Sequence, residues 1–330
     1  MAPRPGDVIV LVTETEFHRA PEVFSSAAAQ CLAVPGDEPT LAREVKERGA
    51  RYVVVGSVKY TGAIYDALSQ GGVIARFGVG HDGIDKEKAT AAGVLCTNTP
   101  GVLDESVAEL AMLLILAAAR RLPSLDAEMR AGTWNPGPSG LELRGKTLAV
   151  IGGGRLGQAT ARIASRGFAM RTVGFRRIHR ADATGFDSMA TDFASAVSDA
   201  DFVSLHINAE PANHQFLNRA RLDLIPSRAW LINTARGSVV DETALYDALV
   251  ERRLAGAALD VFDREPYVAA DPSRDLRTLP NVILAPHVGS HTREANRGMA
   301  ERALQNIRHA EAGEFASMDL LNPAVLKGVR

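Results

Sequence analysis

One short stretch limits the possible folds more than any other: Leu148, Ala149, Val150 and Ile151 run directly into Gly152, Gly153, Gly154, Arg155, Leu156 and Gly157. An unbroken apolar run fits a strand buried on both faces, and Gln158 to Arg166 continues in a helix-compatible pattern. The spacing GxGxxG therefore stands at a strand-to-helix turn, the context in which it carries meaning. Gly152 permits the tight turn, Gly154 lets backbone approach a pyrophosphate, and Gly157 allows close helix packing, while the first helical N–H groups face the phosphates. Arg155 and Leu156, inside the turn, join these glycines as cofactor-binding candidates.

Such a turn belongs to a βαβ unit, and the rest of the chain repeats the pattern. Apolar, β-rich runs at Val8–Val12, Tyr52–Val55, Val73–Phe77, Leu148–Ile151, Thr172–Phe175, Phe202–Leu205, Trp230–Asn233, Ala257–Val261 and Val282–Leu284 alternate with helix-compatible segments such as Asp241–Arg253. At 330 residues the chain has room for about two domains, so two doubly wound parallel sheets account for the count. Val102–Arg120 reads as one long, almost wholly apolar helix, bounded by Thr99 and Pro100 before it and Pro123 after it, and is expected to be a buried interdomain helix. Thr133–Gly140, rich in Gly and Pro around Trp134, reads as a loop or extended arm.

Composition removes several other classes. With 46% hydrophobic and 23% charged residues the chain is neither disordered nor fibrous, and a net charge of −2 argues against a nucleic-acid binder that works through phosphate contacts. The two cysteines, Cys31 and Cys96, are too few for a disulfide framework or a cysteine-rich zinc site. No metal site is expected, and a reducing cytoplasm fits. The longest apolar run, Leu110–Ala119, is well short of the roughly 18 residues that span a bilayer, and no signal-peptide core opens the chain. A soluble, unsecreted protein without membrane or nucleic-acid partners is expected.

In an NAD site an acidic residue closes the second strand, about 20 residues past the glycines, and accepts hydrogen bonds from the adenosine ribose. Here the strand Thr172–Phe175 ends in Arg176 and Arg177. Paired guanidiniums bind a 2′-phosphate, which an Asp would repel, so NADP(H) is the preferred cofactor, with NAD(H) left open. Three residues that could carry chemistry follow the ends of later strands: Arg236 in Asn233–Gly237, Glu265 before Pro266, and His287 in Ala285–Gly289. Ligands of open α/β sheets bind beyond the carboxyl ends of strands, so all three are expected on one sheet edge.

The ordered segments GGGRLG, NTARG, ALDVFDREP and APHVGS, with GVGHDGID at Gly78–Asp85, NTPG at Asn98–Gly101, VAE at Val107–Glu109 and DFVSLH at Asp201–His206, resemble the D-isomer-specific 2-hydroxyacid dehydrogenase family, and specifically its glyoxylate/hydroxypyruvate reductase-like members. The resemblance runs from about Val53 to about Met299. It implies a Rossmann nucleotide-binding domain, residues 100–288, inserted into a flavodoxin-like substrate-binding domain of residues 1–99 and 289–330, to which the helical stretch Thr292–Glu311 returns. It further implies a homodimer formed through an arm, here Leu122–Arg144. Carried onto matching positions, the catalytic residues fall on Arg236, Glu265 and His287. The cofactor set extends to Thr234, Ala235, Asp260 and Gly289, with Asp260 expected near the nicotinamide amide. The substrate carboxylate would be held by Arg236 and the backbone N–H groups of Val79 and Gly80, beside His287.

The activity implied is reduction of a small 2-oxo acid, glyoxylate- or hydroxypyruvate-like, to the D-2-hydroxy acid. Two departures bear on the substrate: Gly83 stands where the family commonly has Asn, and His291 where it has a small residue. Phosphoglycerate-type members usually carry an Arg before the pocket Ser, whereas this chain has Gly56 before Ser57, with Lys59 the nearest cation. Formate-oxidising relatives place Gln where Glu265 stands. A D-3-phosphoglycerate or other D-2-hydroxyacid dehydrogenase, and a non-catalytic dinucleotide-sensing protein of the same fold, are the alternatives. Trp134 is open between a dimer-core aromatic and a residue that reaches a neighbouring site.

Overall fold

The computed structural model describes residues 8–177 and 184–328. It divides into two compact units, Met1–Leu103 with Ser290–Arg330, and Asp104–Gly289.

The first unit is a parallel sheet of β1 (Ile9–Thr13), β2 (Gln30–Val34), β3 (Tyr52–Val55), β4 (Val73–Arg76) and β5 (Leu95–Thr97) in the order β2-β1-β3-β4-β5. That is the flavodoxin-like order, which reverses direction beside β1 and β3. Its core joins Leu11, Val53, Val55 and Ile74 from the strands to Leu41, Val45 and Ile64 from the crossover helices. The helix Glu38–Arg48 starts where the Asp37 carboxylate accepts from Thr40 N–H and ends where Gly49 takes φ +63°. The chain returns to this unit as the helix Arg293–Ala312, capped by Thr292 and packed near β4.

The unit boundary follows Leu103 rather than residue 99, for a local reason. Thr99 N–H donates to the Gly78 carbonyl and its hydroxyl accepts from Gly78 N–H, while Val102 lies within 3.1 Å of where a Cβ on Gly298 would stand. Residues 100–103 therefore stay with the first sheet. The second cut falls after Gly289, one residue beyond the expected 288.

The second unit is a seven-stranded parallel sheet: β6 (Thr147–Ile151), β7 (Arg171–Phe175), β8 (Ser188–Ala190), β9 (Phe202–Leu205), β10 (Trp230–Asn233), β11 (Gly256–Leu259) and β12 (Val282–Leu284), in the order β12-β11-β10-β9-β6-β7-β8. Renumbered from β6, this is the Rossmann order 3-2-1-4-5-6 with one further strand, and its switch point lies between β6 and β9. The helix Asp104–Arg120 packs on the helix Arg155–Phe168, and two ion pairs fasten them, Arg155 Nε to Asp104 Oδ2 at 2.7 Å and Arg162 Nη2 to Glu105 Oε1 at 2.5 Å. This corrects the sequence reading, which starts an almost wholly apolar, buried helix at Val102. The helix begins at Asp104 and leaves a stripe of Glu105, Glu109, Leu113 and Arg120 exposed. Among the described residues no helix is long and apolar enough to cross a membrane.

Candidate functional site

At the switch point the glycine turn is shaped by contacts that exclude side chains. Gly152 has φ +116°, and a Cβ there would stand 2.4 Å from the His206 carbonyl oxygen at the end of β9; one on Gly157 would stand 2.0 Å from the Gly152 oxygen. Both positions accept only glycine. Gly154 differs, because nothing lies within 4 Å of its Cβ position. It precedes the helix Arg155–Phe168, which has no side-chain cap, so its first N–H groups point past an open cradle.

Arg176 lies beside this turn, and Arg177 follows it past the end of β7. The Arg176 side chain reaches to 3.0 Å from the Cβ position of Gly153, and Arg177 Nη2 donates to Asn213 Oδ1 at 3.1 Å. Arg155 instead turns its guanidinium to Asp104. After β10, Thr234 is 8% exposed and its hydroxyl is buried with no hydrogen-bond partner. An orphaned hydroxyl and an open helix N-terminus on the same sheet edge fit a dinucleotide. His206, beside the turn, bonds through Nε2 to Ser204 Oγ at 2.9 Å, and burial pushes its imidazole down to about 4, so it is neutral.

The chemically able side chains assemble at the ends of β10, β11 and β12. His287 Nδ1 meets Glu265 Oε2 at 2.6 Å, and the other Glu265 oxygen accepts from Phe262 N–H at 3.0 Å. Burial alone would raise the Glu265 pKa. The His287 contact, the Phe262 N–H and the nearby charge of Arg236 outweigh it and hold the carboxyl below its usual range. Glu265 is thus an anion at neutral pH, and His287 lies against it.

His287 takes φ +55°, an unusual conformation for a residue with a Cβ. Asp260 holds it there: its carbonyl accepts from His287 N–H at 2.8 Å, and its two carboxylate oxygens accept from Val288 and Gly289 N–H at 2.8 Å each. Asp260 is 1% exposed, and burial raises its pKa against the pull of those two N–H groups. Both oxygens already serve the loop, so the structure gives Asp260 a supporting task that the sequence does not reveal.

Arg236 follows Thr234 and Ala235 in an extended stretch closed by Asn233, whose side chain accepts from Ala235 N–H and donates to the Arg236 carbonyl, both at 3.0 Å. Gly237 lets this loop lie against the next one, since a Cβ there would stand 1.8 Å from the Phe262 carbonyl carbon. Arg236 is thereby set beside the loop bearing Glu265. Gly237 and the Asn233 clasp are functional supports that sequence reasoning passed over, although the motif itself contains both.

Val79 and Gly80 belong to the first unit, in the loop after β4, where Asn98 Nδ2 donates to the Val79 carbonyl at 2.8 Å. Gly83 has a packing reason: a Cβ there would stand 2.6 Å from the Val58 carbonyl oxygen, so in this chain the loop has no room for Asn. His291 also falls in the first unit and is exposed. Trp134 is 87% exposed within an irregular stretch. Among the described residues no group of three His, Cys, Asp or Glu side chains is placed to hold a metal ion.

Residues 112–289 match the family model described as D-isomer specific 2-hydroxyacid dehydrogenase, NAD binding domain. The chain is similar to a glyoxylate reductase of Thermococcus litoralis, 41% identical over 263 residues that cover 77% of this chain and 78% of the relative. It also resembles the crystal structure of an NADPH-dependent glyoxylate/hydroxypyruvate reductase from Sinorhizobium meliloti in complex with NADP and malonate, with TM-score 0.79, 30% identity and coverage of 92% of this chain and 93% of that one. A D-lactate dehydrogenase from Aquifex aeolicus complexed with NAD and lactic acid superposes with TM-score 0.82 at 25% identity, covering 95% of this chain and 99% of that one.

Proposed function

The chain belongs to the D-isomer specific 2-hydroxyacid dehydrogenase family, and from that premise we propose that it reduces glyoxylate, hydroxypyruvate or a similarly compact 2-oxo acid to the D-2-hydroxy acid, with NADPH preferred over NADH. It is an NAD(P)-dependent oxidoreductase. The observation that carries the reading is the 2.6 Å contact of His287 with an ionised Glu265, beside Arg236 and on the sheet edge of the glycine turn.

When bound, the nicotinamide supplies hydride to C2 of the 2-oxo acid. Negative charge then develops on the carbonyl oxygen, and His287 gives its proton there. With Nδ1 against the Glu265 carboxylate, Nε2 is the nitrogen turned to substrate. Arg236 binds the substrate carboxylate and polarises the carbonyl. Gly152, Gly154 and Gly157, with Leu156, Thr234, Ala235 and Gly289, line the cofactor cradle. Arg176 and Arg177 take the 2′-phosphate that distinguishes NADPH. Substrate binding is the task of the first unit, dinucleotide binding that of the second.

The same reading makes the protein a cytoplasmic homodimer. In Leu122–Arg144, Leu122, Met129, Trp134 and Leu141 are exposed by 57%, 52%, 87% and 42%, a run of apolar surface that a second copy would cover. A panel of 2-oxo acids assayed with NADPH and NADH in parallel tests the function. Reduction of compact substrates with a lower KM for NADPH is expected, and absence of turnover with every 2-oxo acid would overturn it.

A further inference from the structure

We propose that Asn213 is the positioning residue of cofactor selection, holding Arg177 so that its guanidinium meets the 2′-phosphate of NADPH. The proposal rests on the reading of Arg176 and Arg177 as phosphate ligands and names what makes one of them effective. Asn213 lies 36 residues beyond Arg177, in the loop after β9, yet its Oδ1 accepts from Arg177 Nη2 at 3.1 Å. It is 3% exposed. Its Nδ2 donates to the Asn208 carbonyl at 3.0 Å and to Asn208 Oδ1 at 2.8 Å. The amide therefore has one orientation, because a flip would set its N–H groups against the guanidinium and its oxygen against two oxygens.

The core fixes Asn213 in turn. It ends the short turn Pro211–Asn213, and its carbonyl accepts from Phe216 N–H at 3.0 Å. The Phe216 ring centroid is 6.0 Å from that of Phe175, the residue before Arg176, and 5.6 Å from that of Phe193. Arg221 covers Phe216 at 4.2 Å and donates to its carbonyl at 2.6 Å. Strand end and loop thus share one aromatic floor. Arg177 is an exposed side chain, and an arginine left unheld would lose rotamer freedom when it bound phosphate.

A neutral amide suits this task. It occupies one of five N–H donors and leaves the positive charge uncancelled, whereas a carboxylate in its place would neutralise the guanidinium and repel phosphate.

The test is the ratio of kcat/KM for NADPH to that for NADH, measured with glyoxylate for the wild type, Asn213→Ala, Asn213→Asp, Arg177→Ala and the Asn213→Ala/Arg177→Ala double variant. Losing one preorganising hydrogen bond should lower the ratio about threefold to tenfold in Asn213→Ala, chiefly through KM for NADPH. Asn213→Asp, nearly isosteric and able to carry the test if the alanine variant does not fold, should lower it further. In the Arg177→Ala background, Asn213→Ala should change the ratio little. A wild-type ratio in both Asn213 variants, an equal fall of kcat with both cofactors, or an undiminished effect without Arg177 would each overturn the role of Asn213 while leaving NADPH preference intact. A wild type that does not prefer NADPH would overturn the cofactor reading, and this proposal with it.

Discussion

The two ends of the second sheet's carboxyl edge are built to different tolerances. At the β11 and β12 end, His287 is forced to φ +55° by three N–H bonds to Asp260 and clamped on Nδ1 by Glu265. At the β7 end, the exposed Arg177 side chain is held by an uncharged side chain of the described residues, the amide of Asn213. The difference follows the chemistry each end serves. Proton transfer needs donor and acceptor heavy atoms placed to within a few tenths of an ångström of hydrogen-bond separation, so the histidine is over-determined. Recognition of a phosphate dianion is long-ranged and accepts several geometries, so a tethered but exposed guanidinium suffices.

The sharpest way to break this contrast is at the rigid end. His287→Ala should lower kcat by about 10² to 10⁴-fold, the usual share of a general acid, while the dissociation constant for cofactor stays nearly unchanged. Fluorescence titration of the cofactor beside steady-state kinetics checks both halves. A variant that lost cofactor affinity and kept kcat would move His287 from the chemistry to the cradle.

The tolerant end is tested by charge. Arg176→Asp with Arg177→Ala places a carboxylate at the close of β7, where it can accept from ribose hydroxyls and repel a 2′-phosphate. The preference should invert, by a total change of about 10² or more in the ratio of specificity constants. An unchanged ratio would remove both arginines from phosphate recognition.

How much of this was readable from the sequence follows the same division between short-range and long-range causes. The nine strands read as apolar runs are all present: eight are central strands, which have little choice of residue, and the ninth, β12, is an edge strand whose three residues are all apolar. The three unread ones, β2, β5 and β8, are all edge strands. β2 and β8 face solvent along much of their length and carry mixed residues, and β5 is fully buried but only three residues long. The glycine turn is legible because its requirements are local. The φ of His287 and the bond between Arg177 and Asn213 are not, since each depends on a residue 27 or more positions away. The Asp104 start of the long helix is a local signal that was available: two acids at a helix N-terminus, preceded by a turn.

Asp260 offers a milder perturbation of the rigid end. Asp260→Asn keeps the shape but replaces one acceptor oxygen by an N–H₂ group, which must face Val288 N–H or Gly289 N–H in a site with 1% exposure. One backbone donor is left unsatisfied, at a cost of about 1–3 kcal/mol. Thermal unfolding should therefore shift down by several degrees, and kcat should fall more than KM for cofactor rises, because the loop that sets His287 is loosened. If only cofactor KM responded, Asp260 would act on the nicotinamide and not through the loop.

The smallest expected effect is at Glu265, and it is visible only as a displacement along the pH axis. The Glu265 carboxyl is held below its usual range although burial opposes ionisation, so the anion is present from mildly acidic pH upward. Its charge lies 2.6 Å from Nδ1. Protonating the carboxyl removes that charge, so reduction should lose activity as pH drops through the lowered Glu265 pKa. Glu265→Gln retains the shape and an acceptor for Phe262 N–H but removes the group that titrates, so this acid limb should move down out of the accessible range. Profiles of kcat for both proteins, with solvent isotope effects to establish that proton transfer limits the rate, separate this from a general loss of activity. An acid limb that stayed in place while the rate fell would leave Glu265 orienting the ring without its charge mattering, and the contrast between the two ends would then rest on geometry alone.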